Sequence, residues 1–500
     1  MWGMELKPAP SAQWLPPLAL LLLLLHLGFT LLDPSGCLTD PGVGWHLKSG
    51  ELMVSSQSLP VEDLFSYTLP GHRWINYQWG FHVFLGLLQL AGGLPLVVSA
   101  CVLLYALPPF WTMLRMMREG ADFLASFLLG LLVWMVMAQH AYARPHLFSY
   151  LFFAVFLDRL ARHEKAGGSG AWRILVPLPF LMVLWCNLHG GFTAGLALLG
   201  IHAGMNLLGA LLPKGGVTWD RTFRLWVLFL ACTLASLANP YGWNLHRHIV
   251  SFLQVEGIQK YHEFLPAWQI HSASTVAFAL LALAWIWVLL RSREKSSRAE
   301  QAAALFFLFY GISAVRHIVL FALLAAPLIA RSVPALSPRL KTMAVEQAGN
   351  RKGMWFWGLL VSVVWLALPW AKPDLWPKNL LGLNLGIPAA EKIRELGPGL
   401  TPVFNSENLG GALIHEFYPQ MKVFADDRMD FYGGDFVFRT YLPVIEGREG
   451  WEETLDRYGV RGVVIKPGTG LGARLRADAG WRLVVEDPKT EVFQRIDPLK

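Results

Sequence analysis

The sequence predicts an α-helical polytopic membrane protein that ends in a small α/β domain. Three observations carry that expectation. Hydrophobic residues make up 54% of the chain and charged residues only 15%, where soluble globular proteins carry about 25% charged residues. Apolar runs of a length that crosses a bilayer recur through the first 371 residues. From residue 372 onward charge spreads evenly and the apolar runs shrink to strand length.

The elements follow in order. The first apolar run, at 14–33, is long enough to span, and Lys7 ahead of it is offset by Glu5, so it reads as a retained helix rather than a cleaved signal. Residues 34–94 form a polar first loop, bent by Gly and Pro, with helices lying along the membrane. Its last segment, Tyr77 to Gly93, is too short to cross, because a span takes about 20 apolar residues. Further spans are expected at 95–114, 121–139, 146–162, 173–187, 191–212, 224–238, 273–291, 302–315, 317–331 and 353–371, about eleven with the first. The two flanking SAVRH read as two spans or as one kinked helix. Residues 372–500 alternate strand-like runs (TPVFNS, KVFADD, GVVIKP, LVVED) with helical ones (LGGALIHEFY, GWEETLDRYG). Such alternation implies an α/β domain. The division is thus 1–371 membrane part and 372–500 α/β domain.

Positive charge sets the sidedness. With Tyr77 to Gly93 kept out of the crossings, nineteen of the Lys and Arg of residues 1–371 fall on one side and six on the other. The positive-inside rule then places the N-terminus in the cytoplasm and the first loop and residues 372–500 outside. Lys165, Arg221 and Lys295 are expected inside, and Lys260 outside. The net charge of +7 is dispersed among short loops, which excludes nucleic-acid binding. Cys37, Cys101, Cys186 and Cys232 are too few and scattered for a disulfide framework or a zinc site, with an external Cys37–Cys186 bridge the alternative to free thiols.

Ionisable residues at a membrane boundary are costly and tend to mark a site. On the predicted outer side the first loop carries Asp40, Trp45, His46 and Lys48, and Trp79 follows. QHAYARPH supplies Arg144 and His146, NLHGGF supplies Asn187 and His189, NPYGWNLHRH supplies Arg247 and His248, and AVRH supplies Arg316 and His317. Singly each suits an interfacial anchor. Together, on one leaflet, they outline one external cavity. Arg144, Arg316 and Arg247 suit a phosphate, since a guanidinium keeps its charge and presents a rigid fork of donors. A phosphate at this boundary belongs to a lipid. Asp40, bent inward by Pro41 and Gly42, is the candidate base; Asp33 competes but suits a helix-end cap. The histidines show no HExxH or other tight spacing, so no cofactor is expected, with a divalent metal as the alternative. No nucleotide-binding loop or GxSxG element is present. FADDRMDFYGG places Asp426, Asp427, Arg428 and Asp430 beyond a predicted strand, a position for a ligand or for an ion-pair network.

The strings DPGVGWHLKSGE, FSYTLPG, RPHLFSYLFF, NLHGG, NPYGW, RHIVLFALLAAPLIA and VFADDRMDFYGG, set on this architecture, resemble the GT-C glycosyltransferases over nearly the whole chain, most of all a bacterial polytopic group of GT-C-like architecture. These are polyprenyl-phosphate-sugar-dependent membrane enzymes that include protein O-mannosyltransferases and aminoarabinose transferases. The resemblance implies a bacterial inner-membrane transferase acting at the external face, with a polyprenyl-phosphate-linked sugar as donor and a glycan, lipid or protein as acceptor. It also implies that Asp40 is the catalytic carboxylate. Arg144 and Arg316 would then stabilise the departing phosphate, Trp45 and Trp79 would stack on the sugar, and His46 would orient Asp40 or the sugar. Lys48, His146, Asn187, His189, Arg247, His248 and His317 would bind substrate. The chain departs from the pattern in having no acidic pair after the first span, no HPP in WINYQWGFH and no WWD. A non-catalytic protein that binds or assembles lipid-linked glycans is therefore the second reading.

Overall fold

The computed structural model describes residues 20–166, 170–212, 216–255, 257–258, 261–291, 297–332 and 338–496. Lys7, Lys260, Lys295 and the start of the first apolar run lie outside the described residues. In chain order the helices of the membrane part are α1 (Leu20–Thr30), α2 (Val43–Ser56), α3 (Trp79–Arg118), α4 (Phe123–Met137), α5 (His146–Ala166), α6 (Pro177–Leu188), α7 (Phe192–Leu211), α8 (Trp219–Ala235), α9 (Trp243–Leu253), α10 (Ala273–Arg291), α11 (Arg298–Ser313), α12 (Ile318–Ser332), α13 (Pro338–Gly349) and α14 (Arg351–Ala371). Each of the eleven apolar runs falls on one of them. Seven described stretches are long and apolar enough to cross a membrane by length and composition, and the protein is a polytopic helical membrane protein.

The order of the bundle follows from which helices are apolar all round. In α12 every residue from Ile318 to Ala330 is buried, which marks a central helix. It packs against α3, α4, α5, α10 and α11. The run around SAVRH is two helices, joined by a single 3-10 turn at Val315–His317. In α3 the helical geometry breaks at Gly92 and at Gly93, whose φ of 66° favours glycine. Trp79 to Ala91 is thus a separate helical segment from the one that carries the run at 95–114. At the other end of α3, Arg115 binds Glu119 and Glu300, and Arg331 of α12 binds the same two carboxylates. Charges that read as loop charges in the sequence instead clasp α3, α11 and α12 together.

After α14 come α15 (Leu381–Asn384), α16 (Ile387–Leu396), α17 (Glu407–Phe417) and α18 (Met429–Phe436), among four strands. The strands β1 (Val403–Asn405), β2 (Gly462–Ile465), β3 (Trp481–Glu486) and β4 (Glu491–Arg495) form a sheet of order β1-β2-β4-β3. β1 and β2 run parallel, and the other pairings are antiparallel. The sequence expectation fails at KVFADD, which is no strand of this sheet. Val423 makes a lone bridge to Ser66 of the first loop, while the Asn405 amide takes the backbone of Phe424 and Ala425. A side chain supplies the bonds that a neighbouring strand would have made.

The first loop and the chain after Ala371 share one core. Trp45, Phe65 and Trp74 are buried with Phe404, Phe424, Val463 and Phe493. The first-loop helix α2 is held on two sides by glycine contacts. A Cβ on Gly50 would lie 2.0 Å from the His82 carbonyl oxygen of α3, and one on Gly44 would lie 2.0 Å from the Gly411 carbonyl oxygen of α17. Arg428 locks the same junction. Its guanidinium donates to Asp426 at 2.7 Å and to Asp63 of the first loop at 2.8 Å, with the Trp74 and Phe431 rings 4.8 Å away.

Candidate active site

A cavity of about 500 Å³ lies between the first loop, the ends of the bundle helices and the C-terminal unit. Five segments supply the charged residues that meet there. Asp40 sits in the turn before α2, where its Oδ1 accepts the backbone N–H of Gly42 at 2.9 Å; the Asp-Pro-Gly order folds into this turn because the carboxylate satisfies the N–H two residues on. Arg144 lies between α4 and α5, pinned to the first loop by the Ala143 N–H donating to the Cys37 carbonyl at 2.9 Å. Arg316 occupies the turn before α12, and Glu263 a 3-10 turn at His262–Phe264. The Val315 N–H donates to the Leu265 carbonyl at 2.9 Å and joins those two turns. Asp427 comes from the C-terminal unit.

These groups converge on Arg144. Its Nε donates to Asp40 Oδ1 at 2.6 Å and its Nη2 to Asp427 Oδ2 at 2.9 Å, while Nη1 stands 3.6 Å from Glu263 Oε2. Glu263 also accepts from Arg316 at 3.2 Å, and the Arg316 guanidinium lies 4.5 Å from the Phe264 ring centre. The Trp45 indole N–H donates to Asp427 Oδ1 at 2.7 Å. Both hydrogen bonds on Asp40 fall on Oδ1, and Oδ2 takes neither.

Burial sets the electrostatics. It pushes the Asp427 carboxyl up to about 7 against the pull of Arg144, with the charges of Asp40 and Asp426 adding to the rise. Burial also raises Glu407, which faces the same cavity, to about 7, with help from Asp426. At Glu263 burial acts upward too, but Arg316 and Arg144 outweigh it and hold the carboxyl below its ordinary range. Burial, with the neighbouring His82, Arg144 and Arg428, keeps His46 well below its ordinary value and hence neutral.

A smaller cavity of about 130 Å³ adjoins the first and shares His140, His146, His189, Glu263 and Arg316 with it. Tyr150, Ile249, Leu253 and Leu320 line the smaller one alone and give it an apolar wall. His189 is fixed between the two. Trp185 donates to Ser149 Oγ at 2.7 Å, Ser149 Oγ stands 2.7 Å from His189 Nδ1, and the Gly191 N–H donates to that nitrogen at 3.1 Å. Nδ1 is therefore the acceptor and the ring proton sits on Nε2.

The structure brings Asp40, Trp45, His46, Arg144, His146, His189 and Arg316 to the larger cavity, and His248 and His317 to the smaller. His248 lies 3.3 Å from Asp430, and His317 stacks on Tyr310 at 3.8 Å. Four expected residues lie elsewhere. Lys48 pairs with Glu51 at 2.8 Å along α2. Trp79 turns away from the cavity, and its indole donates to Asn187 at 2.8 Å; Asn187 in turn binds the carbonyls of Val183 and Ala238 at 2.8 Å, which makes the pair a tie between helices. Arg247 is on the exposed side of α9. His46 does not hold Asp40; it packs on the Trp45 ring at 3.8 Å and beside His82 at 4.8 Å. The cavity's other acidic residues are Asp427 and Asp430 of FADDRMDFYGG, Glu263 and Glu407; nothing in a sequence shows that carboxylates as far apart as Asp40, Glu263 and Asp427 meet at one arginine. All four cysteines are free. Among the described residues no group of three or more His, Cys, Asp or Glu side chains is arranged to hold a metal ion.

The chain matches no family model, and no curated protein matches it either. Solved structures do match. ArnT from Cupriavidus metallidurans bound to undecaprenyl phosphate aligns at 14% identity with a TM-score of 0.53, over 98% of this chain and 99% of that one. The oligosaccharyltransferase of Archaeoglobus fulgidus in its apo form aligns at 13% identity and a TM-score of 0.52, over 88% and 69% of the two chains. The Archaeoglobus fulgidus AglB complex with an inhibitory peptide and a dolichol-phosphate gives 14% and 0.52, over 90% and 69%. The chain has a fold of the GT-C type.

Proposed function

We propose that this GT-C-fold protein transfers a sugar from a polyprenyl-phosphate-linked donor to an acceptor hydroxyl at the external face of a bacterial inner membrane. The observation that carries the reading is the convergence of Asp40, Arg144 and Arg316 on one cavity, in a fold two of whose solved neighbours hold undecaprenyl phosphate or dolichol-phosphate. A protein that only bound lipid-linked glycans would not need a carboxylate with one free oxygen held at the cavity wall.

The two cavities suggest how a donor lies. The first lipid carbons take the apolar wall of the smaller one, and the phosphate sits where the cavities meet, between Arg316 and the N–H of His189. The sugar then reaches the larger cavity against the Trp45 ring, which presents a flat apolar face. Asp40 Oδ2 is free to accept the proton of the attacking hydroxyl. The acceptor oxygen bonds the anomeric carbon, the bond from that carbon to the phosphate oxygen breaks, and its electron pair leaves with the lipid phosphate beside Arg316. Arg144 takes a different part from the one its sequence position suggests. Three carboxylates surround it, so it orients Asp40 and is not spare for the phosphate.

The test is transfer by purified protein from radiolabelled undecaprenyl-phosphate hexoses and pentoses, alongside binding of undecaprenyl phosphate. Arg316→Ala is expected to slow transfer by about 100-fold or more, and Asp40→Asn to abolish it while leaving lipid binding intact. Full transfer by Asp40→Asn refutes the role of that carboxylate. Lipid binding by the native protein without any transfer selects the non-catalytic reading instead.

A further inference from the structure

We propose that Asp427 is a positioning residue for this transfer, a carboxylate that the C-terminal unit carries into the membrane part's cavity to set the base and the sugar platform together. The inference rests on the transferase reading above and adds a part of the site that the chain supplies from beyond its last membrane helix.

Both oxygens of Asp427 are committed. Oδ2 accepts from Arg144 Nη2 at 2.9 Å and Oδ1 from the Trp45 indole at 2.7 Å. A carboxylate so occupied does not take the acceptor's proton; it fixes its two donors. Arg144 is a planar fork, so holding Nη2 fixes where Nε points, and Nε is the atom that grips Asp40 Oδ1 at 2.6 Å. The Trp45 ring is fixed by the same carboxyl, and it packs at 3.8 Å on His46, another wall of the cavity. One side chain thereby sets the orientation of Asp40 and of the aromatic face at once. The packing around it leaves no slack: a Cβ on Gly42 would lie 3.0 Å from Asp427 Oδ2, 3.2 Å from Asp40 Oδ1 and 3.3 Å from the Trp45 indole nitrogen. Released from Asp427, Arg144 retains Glu263 on its other arm at 3.6 Å and can swing toward it, carrying Nε away from Asp40.

The device is sensitive to protonation. The titratable and charged groups that face Asp427 are Asp40 from the first loop, Arg144 from the α4–α5 connection, Tyr261 from the segment before α10, and Asp426 of its own segment. Arg144 and Trp45 both donate, so protonating Asp427 removes the negative charge paired with Arg144 and leaves one oxygen a weaker acceptor, which loosens the hold on its donors. Transfer should therefore fall as pH drops through about 7, the value to which burial and those neighbours bring this carboxyl.

The experiment measures kcat and KM for transfer from the same radiolabelled undecaprenyl-phosphate sugars, across pH, with native protein, Asp427→Asn and Asp427→Glu. Asp427→Asn is expected to lose about 100-fold in kcat, the cost of an ångström-scale misplacement, with KM for the donor within a few fold and the acid limb gone from the pH profile. Asp427→Glu, which restores a two-oxygen acceptor, should recover part of the rate and the acid limb. Unchanged kcat in Asp427→Asn with an active native protein overturns the proposal and leaves the transferase reading standing. A native protein that transfers no sugar overturns both. If Asp427→Asn does not purify as a folded species, the Glu variant decides: a native rate with no acid limb contradicts the proposal.

Discussion

Replacing Gly44 by alanine adds a single methyl group, yet it should disable a site to which Gly44 contributes no functional group. The new Cβ would stand 2.0 Å from the Gly411 carbonyl oxygen and 2.4 Å from its carbon, where real Cβ contacts essentially never fall below 3.0 Å. These neighbours are backbone and cannot rotate aside, so α2 and α17 must part by about 1 Å. Overpacking of this kind costs about 1–3 kcal/mol. The functional cost is larger, because Trp45 follows Gly44 on α2 while Asp427 moves with α17. Their 2.7 Å hydrogen bond, stretched by about 1 Å, passes the length at which it counts as one. A misplacement of about 1 Å typically lowers turnover by about 100-fold. Gly44→Ala is therefore expected to lower both the midpoint of thermal unfolding in detergent and the transfer rate. Gly204→Ala is the control, since a Cβ there meets nothing within 4 Å and alanine favours a helix. A Gly44→Ala protein with native midpoint and native rate would refute the claim that this crossing aligns the site.

The other predictions concern the junction, its protonation and its sidedness. Arg428→Gln removes both the charge and the fork that bind Asp63 and Asp426; breaking such a buried pair costs about 3–5 kcal/mol, and limited proteolysis should then cut the first loop between residues 57 and 73. Glu407 is raised from 4.5 to about 7, so the folded protein keeps a proton that the unfolded chain releases, and stability should fall as pH rises from about 4.5 through 7. Glu407→Gln should reduce that slope in melting curves, and an unchanged slope would count against it. Lys48→Ala, outside the cavity lining and paired with Glu51, should leave transfer at the native rate. Single cysteines at Lys165 and Lys422, in a chain without the native four, should react with an impermeant thiol reagent on intact cells only at Lys422; the reverse pattern would invert the membrane orientation.

Much of the architecture was legible because hydrophobic length is a local property. Each apolar run lies on a helix, and the shortness of Tyr77 to Gly93 anticipated the break at Gly93. KVFADD departs from expectation because its apolar, extended character is real, but its bonds go to the Asn405 side chain and to the backbones of Phe65 and Tyr67, which no local pattern displays. The site was legible in its parts more than in its connections. Asp40 announced itself by the Asp-Pro-Gly turn, and Arg144 and Arg316 by charge at helix ends. Trp79 and Asn187 carried the same polar, boundary-facing signature and proved to bind each other. That Arg144 would be surrounded by Asp40, Glu263 and Asp427 depended on three contacts between distant segments, and spacing along a chain holds no record of them.

The shared core also sets a timetable for making the protein. Thr68 donates its hydroxyl to the Phe424 carbonyl, 356 positions further along the chain, and at about 5–20 residues per second a ribosome takes roughly 20–70 s to cover that distance. Throughout that interval Phe65 and Trp74 lack the Arg428 guanidinium that packs on both rings, and Asp63 lacks the same partner. The first loop is thus the stretch that biogenesis factors meet unfinished. A chain released before residue 403 keeps its helices but strands an aromatic, acidic surface that nothing later arrives to close.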